Sequence, residues 1–556
     1  MLKTLSKEES NTHDISGDDA GDGTKKEDQY LTGFKLFSCV FSILSCLFLI
    51  GLDQTIVVTL TTAVGNKFNS IQKIGWLSSG YLLTVCVFAP FWGKFSISFG
   101  RKFTMMLSIL IFEIGSLICG LSVNMNMLIA GRVIAGIGGG GIQALTFIIG
   151  TEVVPMHKRP RIMTFVGITT AISSVLGPVI GGAFTTHVTW RWSFYINLPI
   201  GGISLLLFFI AFNPPPVAGS FREKIVKLDF IGTAIIITGL TLLLLALTFG
   251  SSYEYKWNSA IVVSFFVVGG CLCIAFFIWT YKFSKCPLIL PEVLNIPQVN
   301  ASALVSFFMF AYFISTTLYL SIYFQLVRGK SALDTGINLF PLIISLVVTS
   351  VLSGRLIKKT LSVKPFVIIG GIFSPIGVAL LTLYGIDTST GKSIGLQILL
   401  GIAIRIQFQS SVLSAQLSAP NVEGGTILTL TYIVFSRCLG GSIGANLSNV
   451  VYNTSFVNLF REHLSKQSNK IILNELGNTS PYVLLHASDL LKELSPDSQI
   501  FVKGLYNHAI KNVYYMNIIF AGMTLITGIF TTNRRIPDPS KGEEERKAVE
   551  KLRIGA

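Results

Sequence analysis

Charge is scarce in this chain: Asp, Glu, Lys and Arg make up 13% of its 556 residues, against roughly 25% in a soluble globular protein. With 51% of residues hydrophobic, a water-soluble array of about three or four domains, the count that length alone suggests, would leave its apolar surface unburied. The motifs of nucleotide-driven chemistry are missing as well. No Walker-type glycine-lysine run is present, so ATP is not hydrolysed on this chain, and the Gly-rich stretch at 136–141 sits inside an apolar block with no strand before it. Cysteine offers neither a metal site nor a disulfide framework. Nearly all of the eight lie within apolar blocks, and Cys271 and Cys273 stand at a spacing too short for a zinc knuckle. No metal and no cofactor is expected. A secretory signal is also lacking. Residues 1–35 hold eight acidic residues against five lysines and are expected to form a disordered cytosolic tail. The formal net charge of +15 invites a nucleic-acid reading, but the basic residues are spread among short loops rather than gathered on one face, which excludes it.

What is present is a series of apolar blocks, each long enough as a helix to cross a hydrocarbon core of about 30 Å. Fourteen can be delimited: 36–58, 74–93, 103–121, 127–149, 162–184, 193–212, 230–250, 260–280, 299–323, 337–357, 365–385, 394–417, 426–452 and 513–532. The expected fold is an all-α membrane bundle. Alternate connections carry clustered Lys and Arg, for example Lys158, Arg159 and Arg161, or Lys358, Lys359 and Lys364. The positive-inside rule therefore places both termini in the cytosol and the long segment 453–511 on the outer or lumenal side. Of the sequons at Asn453 and Asn478, only Asn478 stands far enough from a span to be a fair glycosylation candidate.

The order of features repeats. The basic connection after the second span (93–102) has a counterpart after the tenth (353–360), and the Gly-rich fifth span (177–182) is echoed in the thirteenth (440–445). The expected organisation is a tail (1–35), a six-helix half (36–212), a linker with inserted helices seven and eight (213–298), a second six-helix half (299–532) and a cytosolic tail (533–556).

These motifs carry a resemblance. GKFSISFGRK (93–102) resembles the loop signature of the major facilitator superfamily, LIAGRVIAGIGGGG (128–141) its fourth-helix signature and VLGPVIGG (175–182) the fifth-helix signature of its antiporters. LDQTIVVTL (52–60), WRWSFYINLPIGG (190–202) and YFQLVRGKSALDTG (323–336) resemble the fourteen-spanner drug:proton antiporters, in particular the fungal branch that includes vacuolar basic amino acid transporters. The resemblance implies a major facilitator fold and a conformational role for Gly93, Gly100, Arg101, Lys102, Gly136, Gly177, Pro178, Gly181 and Gly182. It also has one departure. The loop signature normally carries an acid where this chain has Ile97, which implies a weakened latch or one built from Arg101 and Lys102 with other partners.

Ionisable residues within spans are few, and each is costly enough in hydrocarbon to be a functional candidate: Asp53, Glu113, Arg132, Arg405 and Arg437, with Arg355 near an end. At 1.5 Å per residue Asp53 and Arg132 reach similar depths, so they can form an ion pair, either a proton-labile switch or a permanent bridge. Glu113 lies near the middle of its span as a lone carboxylate that could carry a proton, stay protonated, or bond to Ser116. Arg405 either faces a watery cavity and sets substrate preference or pairs with a carboxylate. Gln54, Gln143, Tyr312, Arg405, Gln407, Gln409 and Gln416 are the candidate cavity lining, with interhelical bonding as the alternative use of the glutamines.

The resemblance then implies a secondary antiporter, not an enzyme, that exchanges protons for a small basic organic solute within a lipid bilayer and works as a monomer. Two substrate readings stay open: basic amino acids such as lysine, arginine and histidine moved into a vacuole, or cationic drugs expelled at the plasma membrane. A nutrient sensor that has lost transport is a third, lesser reading.

Overall fold

A computed structural model describes residues 30–536, except 69, 71–72, 74, 156–157, 216, 218–219, 252–254, 256, 423, 466–471, 473–474, 477–480 and 487–493. The expected tails and Asn478 therefore fall almost wholly, and entirely, outside the described residues. Among the described residues every long element is helical, and fourteen helical spans are long and apolar enough to cross a membrane, the sixth of them, Trp192–Ala211, made of two consecutive helices. In chain order they are α1 (Gly33–Lys67), α2 (Gly75–Phe99), α3 (Arg101–Leu121), α4 (Met125–Glu152), α5 (Arg159–His187), α6 (Asn197–Ala211) and α7 (Phe230–Ser251). They continue with α8 (Ala260–Lys282), α9 (Pro297–Ile322), α10 (Phe340–Thr360), α11 (Lys364–Leu381), α12 (Thr390–Leu417), α13 (Gly425–Ser465) and α14 (Pro496–Ile529).

Local chemistry sets several boundaries. The side chains of Asn124, Ser259 and Ser389 accept from the backbone N–H of Met127, Val262 and Lys392, capping α4, α8 and α12. Proline opens α9 and α14 where a helix has no use for the missing amide. Gly100, at φ +88°, makes the turn from α2 into α3 that a residue with a Cβ would resist.

The packing pairs repeat at an interval of eight helices. Contacts α1·α5, α2·α4, α3·α4 and α1·α6 recur as α9·α13, α10·α12, α11·α12 and α9·α14. The two sets meet along a pair of crossings, α2·α13 and α5·α10, which exchange under the same relation. Helices α7 and α8 pack on one another, and α7 leans on both α2 and α13 beside that seam. Along α8, Ile261, Val263, Val267, Val268, Ile274, Phe277 and Ile278 are exposed, the face a helix presents to lipid.

Three expectations need correction. The segment 453–511 is not one loop: α13 runs on to Ser465 and α14 starts at Pro496. At about 1.5 Å per residue each exceeds a hydrocarbon core, so the polar residues that end the apolar runs belong to helix beyond the lipid. There Phe456 stacks on Tyr506 at 4.9 Å, and the Tyr506 hydroxyl donates to the Leu484 carbonyl at 2.6 Å. The sixth block is broken, with a short helix Trp192–Tyr195 preceding α6. The tenth begins at Phe340, since Ala332–Asn338 is a separate helix capped by Ser331.

Candidate functional site

Asp53 and Arg132 meet, as their depths predicted. The Arg132 Nη1 donates to Asp53 Oδ2, Nη2 to the Asp53 carbonyl at 3.3 Å and Nε to the Leu77 carbonyl at 2.9 Å, so one guanidinium ties α1, α2 and α4. The Tyr81 ring lies under it with the centroid 4.1 Å away, a cation–π contact that compensates lost hydration. Both side chains are buried. The second Asp53 oxygen, Oδ1, makes no hydrogen bond of normal geometry among the described residues, and neither does the side-chain oxygen of nearby Asn197, whose amide donates to Ser116 at 3.0 Å. A carboxylate with one paired and one bare oxygen has room for a proton.

Glu113 is isolated. It lies where α3 crosses α6, so close to Gly201 that a Cβ there would fall 1.6 Å from its Oε1. Both carboxylate oxygens are buried without a hydrogen-bond partner among the described residues. Ser116, the sequence's candidate partner, bonds to Asn197 instead. Glu113 therefore sits within the first set of six helices, away from the seam.

The loop signature is held by residues that sequence reading missed. Arg101 grips Glu152 at the end of α4 through Nε (3.2 Å) and Nη2 (3.1 Å). That bidentate geometry orients as well as binds. Lys102 donates to the Phe209 carbonyl at 2.7 Å and to Asn213, and stands over the Phe209 ring. Ile97 is partly buried and packs against the apolar core. Gly93 lies against Thr431 of α13, its would-be Cβ 2.2 Å from Thr431 Oγ1, so the signature touches the second set of helices through a glycine. Glu152 could have been suspected as an acid ending an apolar span beside a basic connection.

Next to this, α5 is stitched to α10 and α12. Gln409 donates to the Pro160 carbonyl at 3.0 Å and accepts from Ser353 at 3.1 Å, the hydroxyls of Thr164 and Ser350 each donate to the other's carbonyl at 3.2 Å, and Arg159 reaches Gln416 at 3.5 Å. Gln409 and Gln416 thus join the two sets where α5 begins and α12 ends. Tyr312 and Gln407 lie elsewhere, which corrects their placement in a cavity. The Tyr312 hydroxyl meets Ser374 (3.0 Å) and Gln407 Oε1 (3.2 Å), and Gln407 Nε2 donates to Thr524 (2.7 Å), a network wholly among α9, α11, α12 and α14. Their polar atoms are satisfied by helix packing.

Deeper in the seam lie Arg405 and Arg437, at 3% and 2% exposure. Arg405 donates from Nη2 to the Met163 carbonyl at 2.5 Å and lies against Gly167, where a Cβ would fall 1.7 Å from Nη1. Arg437 makes no hydrogen bond to a described residue. Instead Phe147, Phe310 and Phe408 surround it, centroids at 4.4, 4.7 and 5.2 Å. Gln143 accepts from Cys438 beside it at 3.3 Å, and Gln54 is half-buried next to Asp53. The carboxylate expected as one possible partner of Arg405 is absent among the described residues.

The glycines act by close approach. A Cβ at Gly136 would meet the Tyr81 carbonyl at 2.6 Å, and one at Gly177 would meet Thr55 Oγ1 at 1.9 Å, with Pro178 following inside α5. Gly181 is buried and Gly182 half-buried further along α5.

Residues 43–445 match the family model described as Major Facilitator Superfamily. Vacuolar basic amino acid transporter 5 of Saccharomyces cerevisiae is 33% identical, over 95% of this chain and 96% of that protein. An MFS-type efflux pump of Trichophyton rubrum is also 33% identical, over 90% and 92%, and Azole resistance protein 1 of Saccharomyces cerevisiae 32%, over 93% and 91%. Among solved structures, a bacterial homolog of the human lysosomal transporter Spinster, inward-facing and unoccupied, superposes with a TM-score of 0.57 at 13% identity, covering 92% of this chain and 100% of that one. Fourteen apolar helices, packing pairs that recur between two sets of helices, and relatives matched nearly end to end lead to one conclusion: the chain belongs to the major facilitator superfamily and is a multi-pass membrane transporter, not an enzyme.

Proposed function

We propose that this chain is a proton-coupled antiporter that moves small basic organic solutes, basic amino acids such as lysine, arginine and histidine, out of the cytosol into the vacuole. The observation that carries the substrate class is the match over 95% of the chain to a vacuolar basic amino acid transporter. Proton coupling is supported by the geometry of Asp53: protonation would cancel the charge that holds Arg132, weakening the tie between α4 and α1 and biasing one conformation over another. Glu113, buried without a hydrogen-bond partner among the described residues, is the reserve carrier. The halves 36–212 and 299–532 rock as a monomer about the seam, linked through 213–298, with both termini in the cytosol.

A second reading, export of cationic drugs across the plasma membrane, is favoured by the efflux pump and azole resistance relatives. Sealed vacuolar vesicles with an inward proton pump decide between them. Uptake of labelled lysine, arginine or histidine that collapses on adding an uncoupler supports the amino acid reading. Uptake of a cationic dye alone supports the second. In intact vacuoles, external protease should remove tags from both termini and spare one inserted at Asn478; cleavage of one terminal tag only would overturn the topology.

A further inference from the structure

Two permanent cations lie against one aromatic ring in the middle of this protein, with no carboxylate paired to either among the described residues. Arg405 stands twelve residues before the end of α12 and Arg437 twelve residues after the start of α13. Each is thus about 18 Å along its helix from the same face, near the centre of a core about 30 Å thick. They share one ring: the Phe408 centroid is 4.7 Å from the Arg405 guanidinium carbon and 5.2 Å from that of Arg437. Neither has a carboxylate within ion-pair distance among the described residues, and the Nε of each is buried without a partner.

A lone arginine at the centre of a membrane costs at least about 2.5–3.5 kcal/mol, and two of the same sign repel besides. Cation–π contacts return about 0.5–2 kcal/mol each, which accounts for the three phenylalanines around Arg437 but leaves the hydrogen-bonding valence unused. The chain also makes room for this arrangement. Gly167 leaves out the methyl group that would collide with Arg405, and the Met163 carbonyl fixes one of its two terminal nitrogens. The Nε–H of each guanidinium is left without an acceptor among the described residues, and a carboxylate is the acceptor that a guanidinium fork fits.

We infer that Arg405 and Arg437 form the subsite that receives the carboxylate of a zwitterionic substrate. The inference rests on the amino acid reading above and deepens it: the pair repels a simple cation and admits a basic solute only when a carboxylate accompanies its positive charge. Five helices meet there, α4 through Phe147, α5 through Met163, α9 through Phe310, and α12 and α13 through the arginines. A carboxylate bridging the pair would draw both sets of helices together at the seam.

The test is ligand-dependent thermal stabilisation of the purified full-length protein with matched pairs differing only in the carboxylate: lysine against cadaverine and arginine against agmatine. The amino acid should bind at least about tenfold more tightly than its amine. That advantage should vanish in Arg405→Gln and Arg437→Gln and survive in part in Arg437→Lys, which keeps the charge and the fold. Equal binding of amino acid and amine, or an advantage that survives both Gln variants, overturns the inference. Repeating the titration in chloride and in isethionate separates the sources of the anion. Equal protection by chloride alone would make the occupant an inorganic counter-ion and would also overturn it. Should no member of either pair bind, the amino acid reading fails, and benzoate against benzamide then decides the subsite: stabilisation by benzoate only supports it, stabilisation by neither refutes it.

Discussion

Asp53→Asn is expected to abolish gradient-driven accumulation of substrate while leaving the protein folded and in its membrane. The substitution keeps the shape of the side chain and a hydrogen-bond acceptor for Arg132 Nη1, but it can no longer gain or lose a proton. Arg132 keeps its bonds to the Leu77 and Asp53 carbonyls and its seat on the Tyr81 ring, so the guanidinium is not stripped of all its partners. Truncation would be harsher: Asp53→Ala leaves a buried charge uncompensated, a loss of about 3–5 kcal/mol, and should lower abundance as well. Accumulation against a proton gradient should fall to the level seen with an uncoupler in Asp53→Asn, whereas exchange of labelled for unlabelled substrate at equal pH should persist, because exchange needs no proton cycle. Accumulation that continues unchanged would move the coupling carboxylate elsewhere, with Glu113 the next to examine.

The depth arithmetic that brought Asp53 to Arg132 worked because both sit on helices whose ends are marked by polar residues, Lys35 near the start of α1 and Asn124 at the cap of α4, so residue counts convert to height. The same arithmetic says nothing about which neighbour a helix face meets. Tyr312 and Gln407 were legible as polar groups on apolar spans, yet their partners Ser374 and Thr524 belong to α11 and α14, and no count along one chain segment identifies them. Glu152 was missed for a related reason. It is separated from Arg101 by two helices' worth of sequence and is brought back only because α3 and α4 run antiparallel.

The helical extensions were hidden by composition. Reading spans from apolar runs finds where lipid begins and ends, and the runs in α13 and α14 stop at polar and charged residues such as Glu462, Lys503, His508 and Lys511. Backbone hydrogen bonding does not stop there, since a helix in water needs only a packed face, here Phe456 against Tyr506. Conversely, the echo between 177–182 and 440–445 was legible in the sequence because close approach leaves a compositional mark. Glycine occurs where two backbones touch, in α1·α5 and again in α9·α13.

The second of those contacts should be the less forgiving. Gly440 and Gly444 are four residues apart and so share a face of α13. A Cβ at Gly440 would lie 2.1 Å from the Phe307 carbonyl oxygen, and one at Gly444 would lie 2.3 Å from that of Ala311 and 2.6 Å from its Cα. The obstructing atoms are backbone, which cannot swing aside, so any side chain must push α9 and α13 apart. Overpacking costs about 1–3 kcal/mol where neighbours can adjust, and more where they cannot. Gly444→Ala is therefore expected to reduce folded protein several-fold, and Gly444→Leu to remove the monodisperse peak in detergent size-exclusion almost entirely. Gly177 meets mainly the Thr55 side chain, although the Ile56 amide stands 3.0 Å away, so Gly177→Ala should cost less than Gly444→Ala. Gly522→Ala, with nothing within 4 Å, should stabilise α14 slightly or change nothing. Recovery of Gly444→Leu at the abundance and elution position of the unaltered protein would mean that α9 and α13 are not held at this distance, and with it would go the account of why the thirteenth span is rich in glycine.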